Sequence, residues 1–299
     1  MDPLRLAHVL HDGAEVLAVE YRGRLLSVAE LERLFELETS PQRFAEVSSF
    51  RRRVFSLGLA GLEELVDCLA DGEAPPSTVL DPSQCLWMVP TLANPALLLF
   101  EPRPQAAPSF RRGFGRCLLG HEAPLPVPSD ETAPRLDAGI AAILGDDLRS
   151  ATLEQAERAI VGYAPISLWT FPSREALSPG WGSFRLGQLG PLLTASHERF
   201  DPSDSEVSLL VNGHVVAASR RDPWRASFGE MIAFASEGAD LFAGDVIACG
   251  PLAVAGGEGR PVLRDRDRVS VRVAGLGELA GVVVASAPRK GAHCWAPVS

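Results

Sequence analysis

An α+β fold dominated by strands is what this sequence predicts, on three observations. Short apolar runs separated by turn residues fill most of the chain from Cys85 onward. Hairpin signals stand near both ends, the strongest being Asn212-Gly213 between SLLV and VVAAS, because both positions of such a turn need positive φ. Helix starts are few, with three capping boxes in which Ser or Thr precedes Glu or Gln by three residues. At 299 residues the chain is near the upper end of what one hydrophobic core supports. The polar, Pro-rich segment at 71–77 therefore marks an expected boundary between a small domain, 1–78, and a larger one, 79–299.

Taken in order, Leu4 to Val9, a turn at His11-Asp12-Gly13, Val16 to Tyr21 and Arg22-Gly23 before Leu25 read as an antiparallel meander. Ser27 and Glu30 open a helix to about Leu37, and helical patterning returns from Arg43 to Leu69 with a break near Gly58 and Gly61. The runs LWMVP, ALLLFEP, LLGHEAPLPVP and GIAAILG follow as strands. Thr152 and Gln155 start a one-face helix expected to stop at Gly162, and the stretch around Trp169, Pro172, Pro179 and Trp181 reads as loop. After the Asn212-Gly213 hairpin, Ser227 and Glu230 open a helix burying Phe228, Ile232 and Ala235. DVIACG, RVSVRVAG and ELAGVVVAS follow as strands, and the tail from Ser286 reads as a surface strap or a frayed end.

Composition removes several function classes. Hydrophobic residues at 46% and charged residues at 22% are those of a folded globule. A formal net charge of −10 offers no basic field for a phosphate backbone, so nucleic acid is not an expected partner. Lys290 is the sole lysine, so lysine chemistry has one candidate. The five cysteines are scattered and never form C-x-x-C, which argues against a disulfide framework or zinc knuckle and fits a reducing cytoplasm. The N-terminus has no charged leader before an apolar core, and no run of about 18 apolar residues occurs, so neither a signal peptide nor a membrane span is expected.

From Ser236 to Ala285 the sequence, with SEGADLFAGDVIACGPLA and DRDRVSVRVAGLGELAGVVV, resembles the C-terminal core of the fumarylacetoacetate hydrolase family. Val211-Asn212-Gly213, Gln188-Leu189-Gly190-Pro191, Val161-Gly162-Tyr163, LLLFEPRP and Ile143-Leu144-Gly145 match further family elements in the same order. The resemblance implies a rolled β-sandwich core behind a small N-terminal domain, and a homodimer formed through that core. It also implies C–C bond chemistry on keto acids, with a divalent cation held by three carboxylates so that the substrate chelates through adjacent oxygens.

Counted against the family's motifs, the three ligand positions fall on Asp137, on Gly139 and on Leu168 or its neighbour, so one carboxylate remains. The family's lysine has no counterpart, Arg185 being the nearby cation, and its substrate-gripping Thr lies near Cys249-Gly250-Pro251. One carboxylate does not hold Mg²⁺ against its hydration shell, so no metal and no other cofactor is expected. The candidate catalytic groups are then His121, Glu122, Asp137 and Arg185, with Leu168, Trp169, Trp181 and Cys249 as pocket walls. His121 beside Glu122 reads as a general base or as a turn histidine, Asp137 as an acid/base or a strand-edge carboxylate, and Arg185 as a carboxylate anchor or a structural ion pair. Three functions compete: a metal-free cyclase, isomerase or C–C lyase or hydrolase acting on a keto-type or polyketide-like small molecule; a non-catalytic subunit or binding partner of an active paralogue; and a conventional metal-dependent hydrolase. An enclosed pocket with convergent polar groups favours the first, and a collapsed cavity filled by Leu168 favours the second.

Overall fold

In the computed structural model, residues 4–35, 50–55, 59, 61–69, 74–92, 94–101, 109–176, 183–196, 202, 205–220, 226–257 and 262–286 are described, the side chains of 51–53, 183–185 and 220 excepted. Lys290, Trp181 and the tail lie outside them, as do residues 43–49 of the stretch expected to be helical from 43 to 69.

The meander forms as expected. Strands β1 (Arg5–His11), β2 (Ala14–Tyr21) and β3 (Arg24–Ser27) are joined by turns at Asp12-Gly13 and Arg22-Gly23 in which both residues have positive φ. That geometry matches the right-handed twist of the paired strands. Ser27 caps α1 (Val28–Leu34), and α2 (Phe50–Phe55) and α3 (Leu62–Asp67) follow. Strands β4 (Val79–Leu80), β5 (Leu86–Trp87), β6 (Ala96–Phe100), β7 (Phe110–Phe114), β8 (Leu118–Leu119), β9 (Pro124–Pro128) and β10 (Arg135–Leu144) lead to α4 (Leu153–Arg158).

Here the structure corrects the sequence reading. α4 ends at Arg158, and β11 (Ile160–Thr170) runs through the Gly-Tyr element and through Trp169, where helix and then loop were expected. The β-branched Ile160 and Val161 favour the strand. Pro165 is tolerated because β11 changes partners around it: Gly162 and Tyr163 pair with β13 (Leu192–Ala195), whereas Ile166 to Thr170 pair with β12 (Ser183–Leu189). A missing N–H costs little at such a gap in the ladder. The chain ends with β14 (Glu206–Val211), β15 (His214–Arg220), α5 (Pro172–Glu175) lying earlier between β11 and β12, then α6 (Phe228–Gly238), β16 (Val246–Gly256), β17 (Arg268–Val273) and β18 (Gly277–Ser286).

Two sheets result. One has thirteen strands along the path β4-β3-β2-β1-β13-β11-β10-β16-β6-β7, with β12, β8 and β5 attached beside it; the other has the order β15-β14-β17-β18-β9. The fold is α+β and mostly β, as predicted. The N-terminal strands are hydrogen-bonded into the larger sheet, with β1 on β13, so the sheet runs across residue 78 without interruption. Alternation along each strand divides the apolar residues between two faces. Leu136, Ala138, Ile140 and Trp169 join a core shared with the second sheet and α6, while Ala141, Ile143, Ile166 and Leu168 join a core shared with Phe50, Leu62 and Leu65 of α2 and α3. The motif aspartate Asp245 is structural: its carboxylate accepts from the Ala96 and Phe242 N–H groups at 2.7 and 3.0 Å, fixing the turn into β16.

Candidate active site

Strand periodicity gathers the three presumed ligand positions. Asp137 and Gly139 are alternate residues of β10, and Leu168 pairs directly with Asp137 across the β10–β11 ladder. All three line one cavity with Cys249, Pro251 and Leu99. The three positions thus stand together on one face, and the cavity they line is small. Its room for a water-sized sphere is about 10 Å³, near the minimum that admits one water.

Gly139 explains part of that closure. A Cβ there would stand 2.3 Å from the Cys249 carbonyl oxygen, so the backbone of β16 occupies the volume that a side chain would need. The approach falls at an irregularity of the β10–β16 ladder between Ala138 and Ile140. Leu168, 2% exposed, supplies an apolar wall at the third position.

Asp137 is 4% exposed, and burial pushes its carboxyl above the usual carboxylate range despite a hydrogen bond from Arg135. Arg135 Nη2 donates to Oδ2 at 2.8 Å, while Oδ1 has no hydrogen-bond partner. Arg135 pairs with Thr170 on β11, which places the Thr170 hydroxyl on the same face; that hydroxyl and Arg135 Nε are likewise buried with no hydrogen-bond partner. Arg111, paired with Glu101, adds a favourable field at Asp137. Arg135 and Thr170 were not singled out from the sequence. The signal available was position, since 135, 137 and 139 share one face of a strand.

The other predicted groups lie elsewhere. His121 and Glu122 do not border this cavity. Their turn between β8 and β9 is a clasp on β18: Ala280 N–H donates to His121 Nδ1 at 3.0 Å, Glu122 N–H donates to Ala280 O at 2.7 Å, and buried Gln188 donates to the same oxygen at 2.9 Å. The imidazole stands edge-on to Trp87, and burial lowers its pKa because it disfavours the charged ring. Glu122 is held below the usual carboxylate range chiefly by its hydrogen bonds from Arg268. Trp169 lies on the opposite face of β11 from Leu168, so the two do not wall one pocket; adjacent residues of a strand point apart. Cys249 does border the cavity, whereas Trp181 and the Arg185 side chain are outside the described residues.

Comparison with known proteins agrees with this fold. Residues 96–284 match the model of the fumarylacetoacetate hydrolase C-terminal domain. A Mycobacterium tuberculosis protein, Rv2993c, is 25% identical over 186 residues, covering 61% of this chain and 68% of the relative. Among solved structures, maleylpyruvate hydrolase of Sphingobium sp. SYK-6 superposes with a TM-score of 0.71 at 22% identity, over 94% of this chain and all of the other. The 2-hydroxyhepta-2,4-diene-1,7-dioate isomerase of Mycobacterium marinum gives 0.69 at 18% identity, over 95% of this chain and 99% of the other. The chain belongs to the fumarylacetoacetate hydrolase family, and the solved structures that share its fold include proteins described as hydrolases and isomerases.

That maleylpyruvate hydrolase has also been solved with manganese and pyruvate. Of the described residues lining the cavity here, Asp137 is the one that carries a carboxylate. Hard divalent cations take several oxygen ligands, and the three positions offer one carboxylate, already bonded to a guanidinium, one glycine and one leucine. Among the described residues no group of three His, Cys, Asp or Glu side chains converges anywhere. No described helix is long and apolar enough to cross a membrane.

Proposed function

We propose that this chain is a hydrolase-, lyase- or isomerase-type member of its family that acts on a keto-type small molecule without a divalent cation. Asp137 is the proton carrier. One observation supports this reading above the others: the sole carboxylate at the presumed cation site is buried, raised in pKa, fixed at Oδ2 by Arg135 and unpartnered at Oδ1. A carboxyl tuned upward by burial accepts and returns a proton closer to neutrality than an exposed one. Arg135 supplies a fixed positive charge beside it, able to stabilise the negative charge that develops when a bond next to a carbonyl breaks. Leu168 and Leu99 keep the surroundings dry, which strengthens that interaction.

The experiment is calorimetric titration of Mg²⁺ and Mn²⁺ into chelator-treated protein, followed by a turnover screen on 2-oxo acids with the wild type and Asp137→Asn. Silence in the titrations with turnover lost in the variant is the expected result. Saturable micromolar metal binding overturns the reading in favour of ordinary metal-assisted hydrolysis.

A second reading, a non-catalytic subunit or binder, is favoured by the cavity's size, since about 10 Å³ holds no substrate without rearrangement. A roomier pocket, about 160 Å³ at Val211, Val216, Val254 and Leu263, has an apolar lining with no acid or base among the described residues. Absence of turnover over the whole 2-oxo acid screen, in protein that also binds no metal, selects this second reading.

A further inference from the structure

We propose that Arg135 takes over the cation's share of substrate recognition: its guanidinium, fixed against Asp137 and flanked by the Thr170 hydroxyl, receives the carboxylate of a small 2-oxo acid. This inference rests on the reading above that the substrate is a keto-type molecule.

Three placements carry it. The first is register. Arg135 faces Thr170 directly across the β10–β11 ladder and Asp137 follows two residues later, so a planar cation, a hydroxyl and a carboxylate share one face of the sheet beside the presumed cation site. The second is the pattern of committed and uncommitted atoms. Asp137 Oδ2 accepts from Arg135 Nη2 at 2.8 Å, whereas Arg135 Nε, Thr170 Oγ1 and Asp137 Oδ1 are buried without a hydrogen-bond partner. Two buried donors and one buried carboxylate oxygen left over on one face are costly unless a ligand or water completes them. The third is access. The Arg135 side chain is 36% exposed while its partner Asp137 is 4% exposed, so part of the arginine side chain is open to solvent although its Nε is buried. Gly256 pairs with Arg135, and a Cβ on Gly257 would lie 3.6 Å from its Cγ and Cδ, so the end of β16 supports the stem along its length.

The chemistry follows from those groups. A guanidinium presents parallel N–H donors that match a carboxylate, which an ammonium point charge does not. In a 2-oxo acid the adjacent keto oxygen then lies within reach of a hydroxyl donor, the role that Thr170 fills. Two of the charges on this face, Arg111 and Glu101, offset one another, so the balance at the site is set by Arg135 and Asp137.

The test uses the full-length, chelator-treated protein and titrates in pyruvate, oxalate and, as an uncharged control, methyl pyruvate. Saturable binding of pyruvate and oxalate is expected, with methyl pyruvate weaker by about tenfold or more, Arg135→Lys weakened to a similar degree, and Thr170→Val weakened a few-fold. Thermal melts of Arg135→Lys and Thr170→Val confirm folded protein. Pyruvate affinity unchanged in Arg135→Lys, binding seen only after Mn²⁺ is added, or no saturable binding of either acid overturns the proposal. The two readings fail separately. Turnover abolished in Asp137→Asn while Arg135→Lys binds pyruvate normally removes the role of Arg135 and leaves cation-free catalysis standing. Arg135-dependent pyruvate binding without turnover of any 2-oxo acid does the reverse.

Discussion

Asp137, buried, and His121, half-buried, are both titratable groups shifted by desolvation, and their surroundings differ in one respect that separates structure from chemistry. Around His121 the polar atoms are committed: Nδ1 accepts from Ala280, and the Ala280 oxygen takes donors from Glu122 and Gln188. Around Asp137 they are not, since Oδ1, Thr170 Oγ1 and Arg135 Nε are left over. A satisfied buried network fixes one conformation, whereas unsatisfied buried groups call for an explanation beyond the fold. The pair teaches that a shifted pKa does not by itself mark a site; the hydrogen-bond inventory does.

That contrast can be broken or sharpened. The largest expected effect is at Gly139, where alanine would put Cβ 2.3 Å from the Cys249 oxygen. A loss of about 3 kcal/mol or more is expected on chemical denaturation. A variant as stable as the wild type would mean that β16 does not fill the second ligand position and that a carboxylate could be accommodated there.

Next is the clasp. His121→Ala strands the Ala280 N–H, and a cost of about 1–3 kcal/mol is expected from an unsatisfied buried donor. The sign with pH is set by the lowered pKa: between the folded value and the ordinary imidazole value the unfolded chain binds more protons, so this contribution is complete above pH about 6.5 and is lost as pH falls toward the folded value. Denaturation across that range should show the slope in the wild type and its absence in His121→Ala. Catalytic turnover lost at unchanged stability would instead return His121 to the active site.

The smallest effect concerns Asp137. Its folded pKa is raised, so the folded state binds more protons, and stability declines as pH rises from the ordinary aspartate value through the folded one. The slope is at most about 1.4 kcal/mol per pH unit, and Asp137→Asn should abolish it. If the group acts as a base, turnover rises through the same folded pKa, so an acid limb displaced above the ordinary aspartate range is the kinetic counterpart of the same shift.

Much of the scaffold was legible in the residues. The Asp12-Gly13 and Asn212-Gly213 turns have both residues at positive φ, and the capping boxes at Thr152 and Ser227 are complete, because local hydrogen bonds and backbone sterics settle these features within a few residues. β11 was misread for the opposite reason. Gly162 and Pro165 look like breakers until β13 and β12 are seen to divide the strand between them. At the candidate site, Asp137, Gly139, Leu168 and Cys249 do converge. Trp169 does not join them, since one step along a strand reverses the face. His121 belongs to the clasp, a fact carried by Ala280, which is 159 residues away.

The family and the mostly β fold class were written along the chain itself, in motif order and side-chain pattern. Tertiary structure alone decided that backbone fills the second ligand position, that Arg135 and Thr170 stand beside Asp137, and that His121 is spent on β18. Those outcomes depend on strand register and on which carbonyl meets which glycine, quantities fixed by pairing between distant segments and by the close packing of the interior.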